Sequence, residues 1–175
     1  KEELFCGKVH KNLKKKYKNI ISIIIPRHIH RANEIKEDLN SNNLEVHLHT
    51  SNRPIKKNTD IYLVDTFGET KHFLKLSKIT FMGKSIYAHG GQNPLEAARL
   101  GNRIVHGPYI ENFVEVYNFL KKHRISTKIN SPKDLENLVI KFDRKKSSSK
   151  QIVKKLFYTG NQILLNNKNE INKYF

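Results

Sequence analysis

Six short runs rich in β-branched and aromatic residues recur along this chain, and most of the gaps between them carry apolar residues at helical spacing. The runs are Ile20–Ile25, Leu44–His49, Ile61–Val64, Ile79–Met82, Arg103–His106 and 125–129. Helical periodicity predicts helices over 2–18, 31–41, 69–76, 94–100, 112–123, 132–143 and 148–165. Strands alternating with helices at this spacing predict βαβ units and an α/β fold with an open parallel sheet. Right-handed crossovers would then carry the C-terminal ends of all strands to one rim. Ile20–Ile25, a continuous run closed by Pro26, reads as a strand buried on both faces. The Ser147–Ser149 patch reads as a turn ahead of the last helix.

Composition narrows the classes. Leu, Ile, Val and Phe make 52 of the 175 residues, well above the roughly 20% below which chains stay disordered. The single cysteine, Cys6, excludes an internal disulfide framework and any multi-cysteine zinc site. The longest apolar run is far short of the roughly 18 residues of a membrane helix. The opening Lys-Glu-Glu-Leu-Phe-Cys has neither an initiator Met nor a signal-peptide layout, and reads as the start of a piece of something longer. The net charge is +17, but 26 of the 33 cations are lysines, within a general excess of Lys, Asn and Ile. The surplus sits on the flanks rather than in one stripe interleaved with aromatics. That pattern argues against nucleic acid and leaves a basic face suited to anionic lipid.

Four polar clusters each follow a strand: Pro26-Arg27-His28; Asp65-Thr66-Phe67-Gly68-Glu69; Gly83-Lys84-Ser85, leading into His89-Gly90-Gly91-Gln92-Asn93-Pro94-Leu95-Glu96; and Gly107-Pro108-Tyr109. Ligands of open α/β sheets bind outside the carboxyl ends of strands, so four clusters on one rim predict one crevice. Asn93-Pro94-Leu95-Glu96 is also a well-formed helix start, with Asn as cap, Pro at the first position and Glu at the third. Thr66-Phe67-Gly68-Glu69 has the same spacing. The functional alternative gives Gly90 and Gly91 a close backbone approach to a phosphate at a helix N-terminus, and gives Glu96 the two hydroxyls of a ribose. Gly83-Lys84-Ser85 lacks the earlier glycine of a P-loop, since Lys78 stands there. The pairs His28/His30 and His47/His49 have no cysteine or carboxylate beside them at ligand spacing, so no metal is expected.

Ile25-Pro26-Arg27-His28 with Arg31, Asp65-Thr66-Phe67-Gly68-Glu69, His89-Gly90-Gly91-Gln92-Asn93-Pro94-Leu95-Glu96 and Gly107-Pro108, in that order, resemble the C-terminal domain of the 3-deoxy-D-manno-octulosonic acid (Kdo) transferases. The resemblance runs from about Glu2 to the C-terminus. It implies a Rossmann-like parallel sheet with helices on both faces, the C-terminal half of a GT-B glycosyltransferase. Residues 1–175 would form the CMP-Kdo binding domain, and the N-terminal acceptor domain would lie outside this chain. CMP would be held by Pro26 and Arg27, by Phe67, Gly68 and Glu69, and by Asn93, Pro94, Leu95 and Glu96. His28, Ser85, His89, Gly90 and Gly91 offer further phosphate or sugar contacts.

The implied reaction is a metal-independent, inverting transfer of Kdo from CMP-Kdo to the lipid A precursor of lipopolysaccharide, on the cytoplasmic face of the bacterial inner membrane, with no cofactor. The catalytic base would be a glutamate of the N-terminal domain, so no catalytic residue is assigned in this chain and the fragment alone is expected to be inactive. Two departures stand out: Lys84 where the family has a glycine, and Arg99, Gly101 and Asn102 in place of small helix-side residues. Two alternatives remain on the residues alone, a GT-B enzyme using a uridine nucleotide and a basic module binding nucleic acid or anionic lipid.

Overall fold

The computed structural model describes residues 1–143 and 149–173. The first two residues of the Ser147–Ser149 patch lie outside the described residues. The elements run α1 (Glu2–Lys14), β1 (Ser22–Ile24), α2 (Ala32–Ser41), β2 (Val46–Leu48), β3 (Ile61–Leu63), α3 (Thr70–Leu76) and β4 (Ile79–Met82). They continue through α4 (Leu95–Arg99), β5 (Arg103–His106), α5 (Val114–Lys122), β6 (Ser126–Lys128), α6 (Pro132–Asp143) and α7 (Ser149–Ile171). Every expected helix and strand is present. The main differences in extent are α1, which stops at Lys14, and α7, which continues to Ile171.

The strands form two three-stranded parallel sheets, and the chain divides into two compact units, one around each. In the first unit, residues 1–73 with α6, the sheet order is β1-β3-β2. Ile24 and Leu48 both register with Leu63 of the central strand. Ile35, Leu39, Leu44, Val46, Ile61 and Leu63 form the core, so the amphipathic face of α2 closes over the sheet. The reading of Ile20–Ile25 as a strand buried on both faces is corrected here. β1 is at the border of its sheet, its three residues are half-buried, and Ile21 is 42% exposed.

A polar pin fixes α1 to this sheet. His10 is fully buried, with Nδ1 2.9 Å from Ser22 Oγ and Nε2 3.1 Å from Asp60 Oδ1. Asp60 also pairs with Lys14 and accepts the Glu45 amide at 2.8 Å. Burial pushes the His10 pKa down, against the pull of the Asp60 carboxylate. Burial opposes ionisation of Asp60, yet the Lys14 ammonium and the Glu45 amide hold its carboxyl below the usual range. Buried polar groups tolerate burial only when partnered in this way. Cys6, on the same helix, has a thiol pushed up to about 12 by burial and by Glu2 and Glu3, which disfavours the thiolate.

In the second unit, residues 74–128 with α7, the order is β4-β5-β6. Its core joins Leu74, Met82, Ala98, Ile104, Tyr117 and Leu120. Asn102 is fully buried and donates to the Leu74 carbonyl at 2.8 Å while accepting from the Thr80 hydroxyl at 3.0 Å.

Three helices end in the same turn before handing the chain to a strand. After α2, Asn43 (φ +53°) donates to the Asn40 carbonyl at 2.8 Å and Leu44 to that of Leu39 at 3.2 Å. After α4, Gly101 (φ +87°) donates to Ala98 at 3.0 Å and Asn102 to Ala97 at 3.1 Å. After α5, Arg124 (φ +58°) donates to Lys121 and Ile125 to Leu120, both at 2.8 Å. This is the Schellman pairing, which satisfies otherwise orphaned carbonyls through one left-handed residue.

Candidate functional site

The four polar clusters fall two to each unit, in each case at the C-terminal ends of adjacent parallel strands. In the first unit β1 runs on to Pro26, which is buried, and then to Arg27 and His28, which are exposed. The neighbouring β3 runs on through Val64 into Asp65-Thr66-Phe67-Gly68-Glu69.

Asp65 accepts the Thr50 amide at 3.0 Å and the Thr50 hydroxyl at 2.5 Å. Those bonds outweigh its partial burial and keep its carboxyl below the ordinary range. Phe67 is 75% exposed, an unusual position for a phenyl ring, and Gly68 beside it has φ +84°. The expected capping box is replaced by a different arrangement: the Thr66 hydroxyl donates to the Glu69 carboxylate, and the Glu69 carbonyl accepts the His72 amide at 2.9 Å. The same carboxylate oxygen, Oε2, lies 2.9 Å from His49 Nε2, and His49 Nδ1 lies 2.7 Å from the Tyr62 hydroxyl.

In the second unit β4 leads into Gly83-Lys84-Ser85. Lys84 takes φ +57°, the left-handed region that a β-carbon disfavours, which accounts for glycine as the residue suited to this position. The Ser85 side chain clamps the ends of β4 and β5 together. It is fully buried, donates to the Met82 carbonyl at 2.7 Å and accepts the Gly107 amide at 2.8 Å.

Both amides of the Gly-Gly pair are engaged within the chain. The Gly90 amide donates to Glu111 Oε2 at 2.7 Å and the Gly91 amide to the Lys84 carbonyl at 2.8 Å, so both N–H groups have partners within the chain. Their glycine character answers to crowding from 109–112. A β-carbon on Gly90 (φ +107°) would lie 2.7 Å from Asn112 Nδ2, and one on Gly91 (φ +69°) 3.1 Å from Ile110 Cα. His89 sits outside this packing, its ring 3.9 Å from that of Tyr109 and its Nδ1 3.0 Å from Glu111 Oε1. The backbone amides and His89 together hold the Glu111 carboxyl below its ordinary range. Nothing in the spacing of the sequence distinguishes Glu111 from a surface residue; the contact joins positions 21 apart.

The start of α4 lies one residue later than the sequence reading, with Pro94 at the cap and Leu95 the first helical residue. Asn93 Oδ1 accepts the Leu95 amide at 3.0 Å, and the Pro94 carbonyl accepts the Ala98 amide at 3.0 Å. Glu96 is exposed, and among the described residues its carboxylate takes no bond from the Asn93 amide, so half of the expected capping box is missing. The Tyr117 hydroxyl donates to the Gln92 carbonyl at 2.9 Å and anchors the loop from beneath. α4 spans five residues, too few for a large dipole, so charge recognition here falls to side chains and individual N–H groups. Among the described residues no group of three His, Cys, Asp or Glu side chains could hold a metal ion, and no helix is long and apolar enough to cross a membrane.

No protein-family model matches the chain. A 3-deoxy-D-manno-octulosonic acid transferase of Haemophilus influenzae is 29% identical over 173 residues, 98% of this chain and 40% of the relative. That of Rickettsia felis is 34% identical over 125 residues, 71% of this chain and 27% of the relative. The chain thus spans well under half the length of these curated relatives. In fold it matches the crystal structure of the C-terminal CMP-Kdo binding domain of WaaA from Acinetobacter baumannii. The TM-score is 0.75 at 24% identity, covering 83% of this chain and 76% of that one. Over the part of them that it spans, the chain belongs to the family of the 3-deoxy-D-manno-octulosonic acid transferases.

Proposed function

We propose that this chain is the donor-binding part of a GT-B Kdo transferase, which moves Kdo from CMP-Kdo to the lipid A precursor at the cytoplasmic face of the bacterial inner membrane. Pro26 and Arg27, Phe67, Gly68 and Glu69, and Asn93, Pro94, Leu95 and Glu96 would contact CMP, with His28 and His89 near the phosphate or sugar. The base that deprotonates the acceptor would come from the acceptor-binding domain, and the surplus of lysines would favour an anionic membrane surface. The observation that carries the reading is the first turn of α4 in a chain of this family: Asn93 accepts the Leu95 amide, and among the described residues the exposed Glu96 carboxylate takes no hydrogen bond.

The chemistry is consistent with those residues. Departure of CMP from an anomeric carbon builds negative charge on its phosphate, and a positioned guanidinium stabilises such charge as it develops. Arg27, exposed just beyond β1, is the cation assigned that task.

The test is a titration of CMP, UMP and GMP against the chain and its Arg27→Ala variant, followed by NMR. CMP should bind with preference over UMP and GMP, and Arg27→Ala should weaken it by about 1.5–3 kcal/mol, the worth of a hydrogen bond to a charged group. Equal binding of UMP would point to a uridine nucleotide donor. Unchanged CMP affinity in the variant would remove Arg27 from the phosphate.

A further inference from the structure

His49 follows β2 directly, and its ring joins two groups that the sequence keeps apart. The Tyr62 hydroxyl, in the middle of β3, is 2.7 Å from Nδ1, and Glu69 Oε2, at the start of α3, is 2.9 Å from Nε2. Burial and the nearby Glu69 and Asp65 charges raise the Tyr62 pKa, which keeps the phenol protonated. The Glu69 carboxylate only accepts, which favours the tautomer with its hydrogen on Nε2 and Nδ1 accepting from the Tyr62 hydroxyl. Nε2 meets the Glu69 carboxylate as an ion-pair contact.

Phe73 holds the ring edge-on, with centroids 5.4 Å apart at 87°, and stacks obliquely on Tyr62 at 5.7 Å. The imidazole is therefore set by a hydrogen bond on one side and an aromatic wall on another. The Thr66 hydroxyl donates to the same carboxylate oxygen. Oε2 of Glu69 thus takes a hydrogen bond from Thr66 and an ion-pair contact from His49, while among the described residues Oε1 takes neither.

We infer that His49 is a positioning residue for the donor nucleotide: with Tyr62 behind it and Thr66 beside it, it fixes the Glu69 carboxylate by Oε2 and leaves Oε1 as the acceptor for an N–H or O–H of the ligand. The inference rests on the reading of Glu69 as a CMP contact. A carboxylate held by one hydrogen bond and one ion-pair contact gives up less freedom when it accepts a ligand's donor, which is how a group without ligand contact changes affinity.

The test measures CMP affinity for the chain and for His49→Gln, His49→Asn and Glu69→Ala, with His49→Asn also placed in the Glu69→Ala background. Gln sets an amide N–H near the position of Nε2, and Asn sets its amide near Nδ1 and stops short of Glu69. His49→Asn should weaken CMP about fivefold, within the range of couplings between contacting residues. His49→Gln should stay within about twofold of the parent, and His49→Asn should cost nothing further once Glu69 is alanine. A loss in Glu69→Ala that neither His49 variant shares overturns the inference and spares the reading of Glu69. Equal losses in both His49 variants, or a His49→Asn loss that persists without Glu69, also overturn it. Unchanged affinity in Glu69→Ala removes Glu69 from the nucleotide, and the role of His49 with it. Should His49→Asn not fold, the comparison of His49→Gln with Glu69→Ala decides alone: a loss in His49→Gln matching that in Glu69→Ala overturns the donor role.

Discussion

The Gly90 amide donates to the Glu111 carboxylate at 2.7 Å, so the first glycine of the Gly-Gly pair already holds an anion, and that anion belongs to the chain. A phosphate approaching this amide meets a competitor. Glu111→Gln keeps an acceptor oxygen and removes the charge. It should strengthen CMP binding about threefold, as a charge-assisted bond gives way to a weaker neutral one. The Gly90 amide resonance should then respond to CMP more strongly than in the parent. Identical responses would show that no phosphate contends for Gly90.

Glu96→Gln separates stability from recognition. Because Glu96 does not reach back to the Asn93 amide, the substitution should leave the melting temperature unchanged while weakening CMP. Gln accepts two ribose hydroxyls less well than a carboxylate, since one of its terminal atoms is a donor. The loss should be smaller for 2′-deoxy-CMP, which lacks one of those hydroxyls. Equal losses for both ligands would remove the ribose from Glu96.

Gly107→Ala tests the clamp between the ends of β4 and β5. An added β-carbon would fall inside contact distance of the Ser85 carbonyl, which is backbone and has no rotamer to yield. The Gly107 amide is bonded to Ser85 Oγ, and the Tyr109 amide to the Ser85 carbonyl at 3.0 Å. Denaturant unfolding should show a loss of about 3 kcal/mol, the upper end for an overpacked site. A loss under about 1 kcal/mol would mean that the turn relaxes freely.

Acid should weaken the first unit before it reaches the range of ordinary carboxylates. The folded pKa of His10 lies below its ordinary 6.5, so below that pH the unfolded chain binds more protons than the folded one and stability falls as pH falls. Asp60, also depressed from its ordinary 3.8, adds a second loss in the same direction at lower pH. The melting temperature should decline between about pH 7 and pH 5, and His10→Asn should flatten that decline. A flat parent curve over the window would show that burial of neutral His10 does not govern it.

Much of the fold was legible because its signals are local. Ile79–Met82 and Arg103–His106 were read to the residue, since continuous apolar runs bounded by polar clusters leave little freedom of register. The burial of Ile20–Ile25 was misread because an apolar run reports the residues and not how many neighbours their strand acquires. The distribution of the strands over two sheets was invisible for the same reason. At the site, a helix start at 93–96 came from spacing of one to three residues, although the cap itself is Pro94 rather than Asn93. Glu111 on Gly90, His49 on Glu69 and the buried His10–Asp60 pair join residues 20 to 50 positions apart, and no periodicity encodes such meetings.

The three matching turns after α2, α4 and α5 bear on how this chain can change over time. Only the second has glycine at the left-handed position; Asn43 and Arg124 hold the same conformation with a β-carbon, and for arginine the cost is about 1–2 kcal/mol. Glycine at 124 would recover part of that without disturbing the backbone bonds of Arg124, including the one its carbonyl accepts from the Arg103 side chain. The chain thus keeps mutational headroom at a position remote from its polar clusters, and a destabilising change elsewhere could be absorbed there.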